Sequence, residues 1–461
     1  MQKDVLALFL AIRKPSGLAA LLAAAALLAV TAAAGSAAAE GNRITAGAAA
    51  AGLRPYAAAA AAAPAAPKAQ ANEPLHIVAV GDSLTVGYEL GMNTASVPYG
   101  YAERVYEQAL YRGRADLKNY GIIALKTPGL GKFLEAAADG KTIAAEDVQA
   151  NLSTYPLAPE TVAKTAALAA DLKQADLVTV TIGGNDFTPI FDAIKQGGLT
   201  DAGLGDKLNA MLDGYIPQFE ASLRTILSLN PKATIAFADQ YLPVPAPSVI
   251  NKAITQSQYD VLTAGVDRLK GLNEALAAKL TKEGYDVRAV DVSKPFRGKE
   301  LTYTYIAKGD IHPNQYGYDL MGRAFADGIW GSYREPGALP AGTPLRVVVN
   351  GADLKGGNKP VLKNGATFLP MRDVANALHA TLNWEPKTQT ATIASNGKKV
   401  AFTIGANTMM VDGQTVPLET PAYLQTSGGH AYTYLPLAAL SRGLGYQVEY
   451  RKPIATVFIN P

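Results

Sequence analysis

Cysteine is missing from all 461 residues. Its absence excludes disulfide frameworks, thiolate zinc sites, iron–sulfur clusters and a lipid-modified cysteine anchor. Histidine is scarce: His76, His312, His379 and His430 are the four. No two of them stand three or four apart, so a helical H-E-x-x-H zinc motif is impossible. Charge of one sign is lacking too. A net charge of +3 with no long basic run offers nucleic acid little electrostatic attraction. Apolar residues are plentiful, at 49% against 18% charged, which suffices for a large core and excludes wholesale disorder. The length corresponds to two or three domains of roughly 150 residues.

The chain opens with Lys3, Arg13 and Lys14, then an almost wholly apolar stretch over 17–34, then Ser36-Ala37-Ala38-Ala39 before Glu40. Charge, apolar run and small-residue cleavage site in that order predict a signal peptide over 1–39 and export to the extracellular surface. The apolar run also reaches the ~18 residues that span a bilayer, so an uncleaved membrane anchor is the alternative. Residues 40–74 are alanine-rich with prolines at 55, 64, 67 and 74. The prolines interrupt helix and little large apolar surface is available, so the segment reads as a linker.

From His76 the texture changes. His76–Val80, Leu177–Ile182, Thr234–Ala238 and Val287–Val290 are short apolar runs suited to buried parallel strands, with a weaker one at 116–120. Helix-like stretches at 99–112, 159–174, 206–229 and 258–283 lie between them. Alternation of this kind predicts an α/β domain over 75–333, a parallel sheet with helices on both faces and ligands at the carboxyl ends of the strands. The segments 87–98, 126–158, 187–204 and 241–257 carry no motif. Three prolines and two glycines within 335–344 mark a linker at 334–343. Beyond it, over 344–461, Asn350-Gly351 and Asp412-Gly413 follow apolar runs as hairpin signals. Phe368-Leu369-Pro370-Met371 recurs 66 positions on as Tyr434-Leu435-Pro436-Leu437. The repeat predicts a smaller α+β domain of two copies, each a strand end, a proline, a short helix and two strands, sharing one core.

Three segments carry candidate chemistry. Gly81-Asp82-Ser83-Leu84 follows the first strand, where a serine hydroxyl stands at the open sheet edge, as a nucleophile or as a helix N-cap. Gly183-Gly184-Asn185-Asp186 follows the third; Asn185 is either an oxyanion donor or part of an ordinary turn. Asp310-Ile311-His312-Pro313-Asn314 offers an imidazole as base and an aspartate to fix its tautomer. A phosphate loop at Gly129-Leu130-Gly131-Lys132 fails, because Lys126 stands at the first glycine position and Phe133 at the Ser/Thr position.

In order and placement, these segments resemble blocks one, three and five of the GDSL, or SGNH, hydrolases over about 75–333. The resemblance implies a three-layer α/β/α, flavodoxin-like fold and ester hydrolysis through an acyl-enzyme. It implies Ser83 as nucleophile and His312 as base, with the Ser83 N–H and the Asn185 side chain as oxyanion donors and no metal or cofactor. Two positions depart from the pattern. The glycine of the second block falls on Ala124 within Asn119-Tyr120-Gly121-Ile122-Ile123-Ala124, so Ala124 is the third expected donor and Gly121 the other candidate. The triad acid is expected three residues before the histidine, at Gly309, whereas Asp310 precedes it by two. Either Asp310 completes the triad or a backbone carbonyl orients His312.

The C-terminal repeat resembles the copper amine oxidase N-terminal-like domain of bacterial surface proteins, without implying copper. It is expected to act as an accessory module in cell-wall or surface association, or as a spacer. The leading expectation is therefore a secreted serine ester hydrolase acting on small-molecule, lipid or acylated-glycan esters. The other is a non-catalytic cell-surface binding protein on the same scaffold.

Overall fold

A computed structural model describes residues 65–67 and 73–461, except 198–199, 249–252, 340, 355–358 and 428. The expected signal peptide at 1–39 and most of the 40–74 linker lie outside the described residues.

Five strands form the first sheet: β1 (Leu75–Gly81), β2 (Ala115–Gly121), β3 (Leu177–Thr181), β4 (Thr234–Ala238) and β5 (Val287–Val290). All pairings are parallel, in the order β2-β1-β3-β4-β5. This is the flavodoxin-like order, whose direction of progression reverses beside β1. β3 and β4 are buried along their whole length, which is why they read as unbroken apolar runs. β2 is an edge strand and half-exposed, and its sequence signal is correspondingly weak.

Alternate residues of β1 serve opposite faces, as the two-residue strand period requires. Val78 and Val80 enter one core with Phe133, Leu172, Leu223 and Leu276. Those residues come from helices α3 (Thr127–Ala138), α4 (Thr165–Gln174), α5 (Asp201–Leu229) and α6 (Gln256–Lys282). Ile77 and Ala79 enter the other core with Tyr101, Val105, Tyr318 and Phe325. These belong to α2 (Tyr101–Leu110) and α7 (Gln315–Trp330). Layers of helix, sheet and helix result. The motif-free segments are not without structure: α3, a four-residue helix at Ala145–Val148 and a helical turn at Leu152–Thr154 lie within 126–158, and a helix at Thr188–Gln196 within 187–204.

The region after residue 344 is mostly β, with two seven-residue helices, α8 (Met371–Ala377) and α9 (Leu437–Gly443). Its strands are β6 (Arg346–Val349), β7 (Ala352–Asp353), β8 (Val361–Lys363), β9 (Ala366–Pro370), β10 (Thr381–Glu385), β11 (Thr390–Ser395), β12 (Lys398–Thr403), β13 (Thr408–Val411), β14 (Gln414–Pro417), β15 (Tyr423–Ser427), β16 (His430–Pro436), β17 (Gln447–Arg451) and β18 (Thr456–Asn460). The 66-residue repeat is structural. β9–α8–β10–β11 corresponds to β16–α9–β17–β18, and the equivalent residues Leu369 and Leu435 pair with each other in an antiparallel ladder. Both expected hairpins form, Asn350-Gly351 between β6 and β7 and Asp412-Gly413 between β13 and β14. All four residues have positive φ, as a type I′ turn demands.

This second region does not stand clear of the first. Phe458 and Val348 belong to the same buried cluster as Leu110, Tyr111 and Phe325.

Candidate active site

Gly81 ends β1 with φ 139°, and a Cβ there would lie 1.9 Å from the Thr181 carbonyl oxygen. Only glycine lets β1 pass so close to β3 before turning. Asp82 then caps a four-residue helix, α1 (Ser83–Val86), its Oδ1 accepting from the Leu84 N–H at 3.0 Å. The cap is thus Asp82 and not Ser83, and the serine hydroxyl is left for other work. Asp82 Oδ1 also accepts from the Thr181 hydroxyl at 2.9 Å. Burial pushes the Asp82 carboxyl up to about 7, against the lowering effect of those bonds.

His312 Nε2 lies 2.8 Å from Ser83 Oγ, and His312 Nδ1 lies 2.6 Å from Asp310 Oδ1. A carboxylate on Nδ1 fixes the proton there and leaves Nε2 as the acceptor for the serine hydroxyl. The shifted acid reaches the ring because Asp310 Oδ1 also accepts the backbone N–H of His312 at 2.8 Å. This Asx-type turn folds the carboxylate back over its second neighbour. Gly309, in the left-handed region at φ 81°, ends the preceding helical turn and launches Asp310 into it. Burial raises the Asp310 carboxyl, but the hydrogen bond and charge of His312 outweigh it and hold the group below its ordinary value. The turn itself is pinned. The Tyr241 hydroxyl donates to the Ile311 carbonyl at 2.7 Å, and the Tyr305 N–H to the His312 carbonyl at 2.9 Å. The Tyr88 ring meets the imidazole edge-on at 4.6 Å between centroids.

The second and third blocks lie on the strands flanking β1. Gly81 is in register with Gly121 of β2 and Thr181 of β3, so the turns holding Ser83, Ala124 and Asn185 leave the same sheet edge. Gly121 abuts the turn that follows Ser83: a Cβ there would lie 2.5 Å from the Val86 nitrogen. Its N–H donates to Asn119 Oδ1 at 2.9 Å. Among the described residues, no hydrogen bond takes the N–H of Ser83 or of Ala124. Of the two candidates for the third donor, Ala124 therefore has the free N–H and Gly121 does not. Asn185 Nδ2 spends one hydrogen on the Leu125 carbonyl at 2.9 Å, which leaves the other N–H for a ligand.

Sequence reasoning missed the supports. Asp186 accepts from both the N–H and the hydroxyl of Thr127, tying the third block to the start of α3. Its carboxyl is raised by burial, against the bonds from Thr127. Tyr88 and Tyr241 were invisible, because a lone residue in a motif-free segment carries no pattern. Among the described residues, no three His, Cys, Asp or Glu side chains cluster to hold a metal, His379 and His430 included.

Residues 79–320 match the GDSL-like lipase/acylhydrolase family, and residues 348–459 the copper amine oxidase N-terminal domain. The chain belongs to the GDSL-like lipase/acylhydrolase family and is a carboxylic ester hydrolase. No curated protein matches it. Among solved structures, a lipase from a goat rumen metagenome is similar at 18% identity, covering 55% of this chain and 97% of its own, with a TM-score of 0.38. A variant of an acetyl xylan esterase from Geobacillus stearothermophilus is similar at 17% identity over 56% of this chain and 96% of its own, with a TM-score of 0.32.

Proposed function

We propose that the protein is an exported serine esterase that works through an acyl-enzyme on Ser83. The observation carrying this reading is the run of short contacts from Ser83 Oγ to His312 Nε2 and from His312 Nδ1 to Asp310. His312 takes the Ser83 proton as Oγ attacks the ester carbonyl. Asp310 steadies the imidazolium that forms. The oxyanion is met by the Ser83 and Ala124 N–H groups and by Asn185 Nδ2, donors already in place before charge develops. His312 then returns its proton to the leaving alcohol, and water, deprotonated by the same imidazole, releases the acid. Export rests on the order of charge, apolar run and small residues over 1–39.

The test is Ser83→Ala assayed on a chromogenic short-chain ester. The hydroxyl caps no helix, so the variant should keep its melting temperature. Loss of the nucleophile should cost several orders of magnitude in kcat. Turnover near that of the parent would remove Ser83 from the role.

A further inference from the structure

Ala124 has φ 63°, in the left-handed region that side chains disfavour. Its turn has little holding power of its own; the Leu125 N–H reaches the Ile122 carbonyl at 3.2 Å. The remaining polar groups around Leu125 go to side chains from elsewhere. Gln149 Nε2 donates to the Ala124 carbonyl at 3.0 Å, and Gln149 Oε1 accepts from the Lys126 N–H at 2.8 Å. Asn185 donates to the Leu125 carbonyl. The peptide between Leu125 and Lys126 is thus gripped at its N–H by Gln149 and at its carbonyl by Asn185.

Gln149 is itself fixed. It follows Val148 and shortly precedes Leu152, both buried in the larger core. Its backbone N–H donates to the Ala145 carbonyl at 3.0 Å, and its carbonyl accepts from the Leu152 N–H at 3.1 Å. The carboxamide has one satisfying orientation, since a flip would set N–H against N–H and oxygen against oxygen. Gly129 lets α3 approach closely: a Cβ there would lie 3.2 Å from Gln149 Oε1.

We propose that Gln149 is a positioning residue for the oxyanion hole, clamping the turn so that the Ala124 N–H and the Asn185 amide hold their aim. The proposal rests on the reading of those two groups as oxyanion donors. Gln149 touches no reacting atom. It replaces from outside the conformational ease that a glycine at position 124 would supply from within. If it merely stapled segment 145–154 to the body, its loss would lower stability and leave catalysis alone.

The test uses the full chain with Gln149→Met, which keeps length and loses both bonds, and Gln149→Glu, which keeps the acceptor and loses the donor. Ester hydrolysis, melting temperature and affinity for a trifluoromethyl ketone that adds to serine are measured together. A displaced donor should cost about 10- to 100-fold in kcat, less than the 10²–10³ lost with a whole donor. KM should stay within about twofold. The ketone, whose adduct carries the oxyanion, should weaken by a factor similar to the fall in kcat. Parent kcat and ketone affinity in either folded variant overturn the proposal, whatever the melting temperature does. A rise in KM at constant kcat overturns it equally. Should Gln149→Met fail to fold, Gln149→Glu gives the reading. Ser83→Ala in parallel separates the two claims. An active Ser83→Ala sinks the underlying mechanism, whereas an inactive one beside parent-like Gln149 variants sinks the clamp alone.

Discussion

Asp310 bonds His312 and Asp82 caps the helix that Ser83 begins, and burial acts on both, yet their carboxyls move in opposite directions. Asp310 is held low because His312 gives it a ring N–H, a backbone N–H and charge. It is therefore ionised through the neutral range. The stability it contributes is present above its unfolded value and is lost as pH falls through its lowered folded value. In the proposed mechanism Asp310→Asn removes the charge that steadies the imidazolium. Steady-state kinetics should show kcat down by about 10²–10⁴-fold with KM little changed; unchanged kcat would hand the orienting role to a backbone carbonyl. Asp82 is the reverse case. Burial raises it to about 7 against bonds from Leu84 and Thr181. Its contribution is complete below the unfolded carboxylate value and is lost as pH rises through about 7. Asparagine keeps the acceptor oxygen and abolishes the titration. The melting temperature of the parent should thus fall more steeply between about pH 5 and pH 8 than that of Asp82→Asn. Parallel profiles would show that Asp82 does not carry the effect.

At the level of elements, legibility follows burial and pattern. β1, β3 and β4 are readable because both faces are covered, while β2 is faint because its solvent side admits Lys118 and Asn119. The long amphipathic helices α5 and α6 were visible by periodicity, but α3 was not. Pro128, Gly129 and Gly131 look like breakers, yet Pro128 sits in the first turn, where its missing N–H costs nothing. Gly129 makes room for Leu125 and Gln149. The repeat was legible down to single residues. His379 and Gly445 stand 66 apart, and both adopt left-handed backbone after their helices. Ser83, Asn185 and His312 stood out as candidates because each lies in a short recognisable block. The reach of Asp310 was not, because it depends on where Gly309 ends a turn. The grip of Gln149 on residues 124–126 is a tertiary fact about a residue in a segment without period or motif.

Over the whole molecule, the linker at 334–343 suggests two independent bodies, and we propose it as the seam between hydrolase and accessory region. The packing nevertheless crosses it at α2 and β2. Asn460 Nδ2 donates to the Leu110 and Gly113 carbonyls at 2.9 and 2.7 Å, closing the end of α2, where helix carbonyls lack partners of their own. Gln447 bonds both the N–H and the carbonyl of Ala115, at 3.0 and 2.6 Å, where β2 begins. Arg451 meets the buried Glu107 at 3.1 Å. Phe458 stands edge-on to Tyr111 at 4.8 Å within the hydrolase core. β2 runs from Ala115 to Gly121, just before the turn at Ala124, so the second region braces the strand that leads to the proposed oxyanion donor. Phe458→Ala deletes a ring that is fully buried, at a cost of about 3–5 kcal/mol. That ring comes from a strand of the second region but packs in the hydrolase core, while its neighbours Val457 and Ile459 pack in the second region's own core, so the loss should fall on one shared unfolding event. In the full-length variant, thermal unfolding and the loss of ester hydrolysis should shift down together, as a single transition. Two transitions, with hydrolysis surviving the first at the parent's temperature, would show that the regions unfold independently and that the contacts on α2 and β2 do not hold the catalytic half.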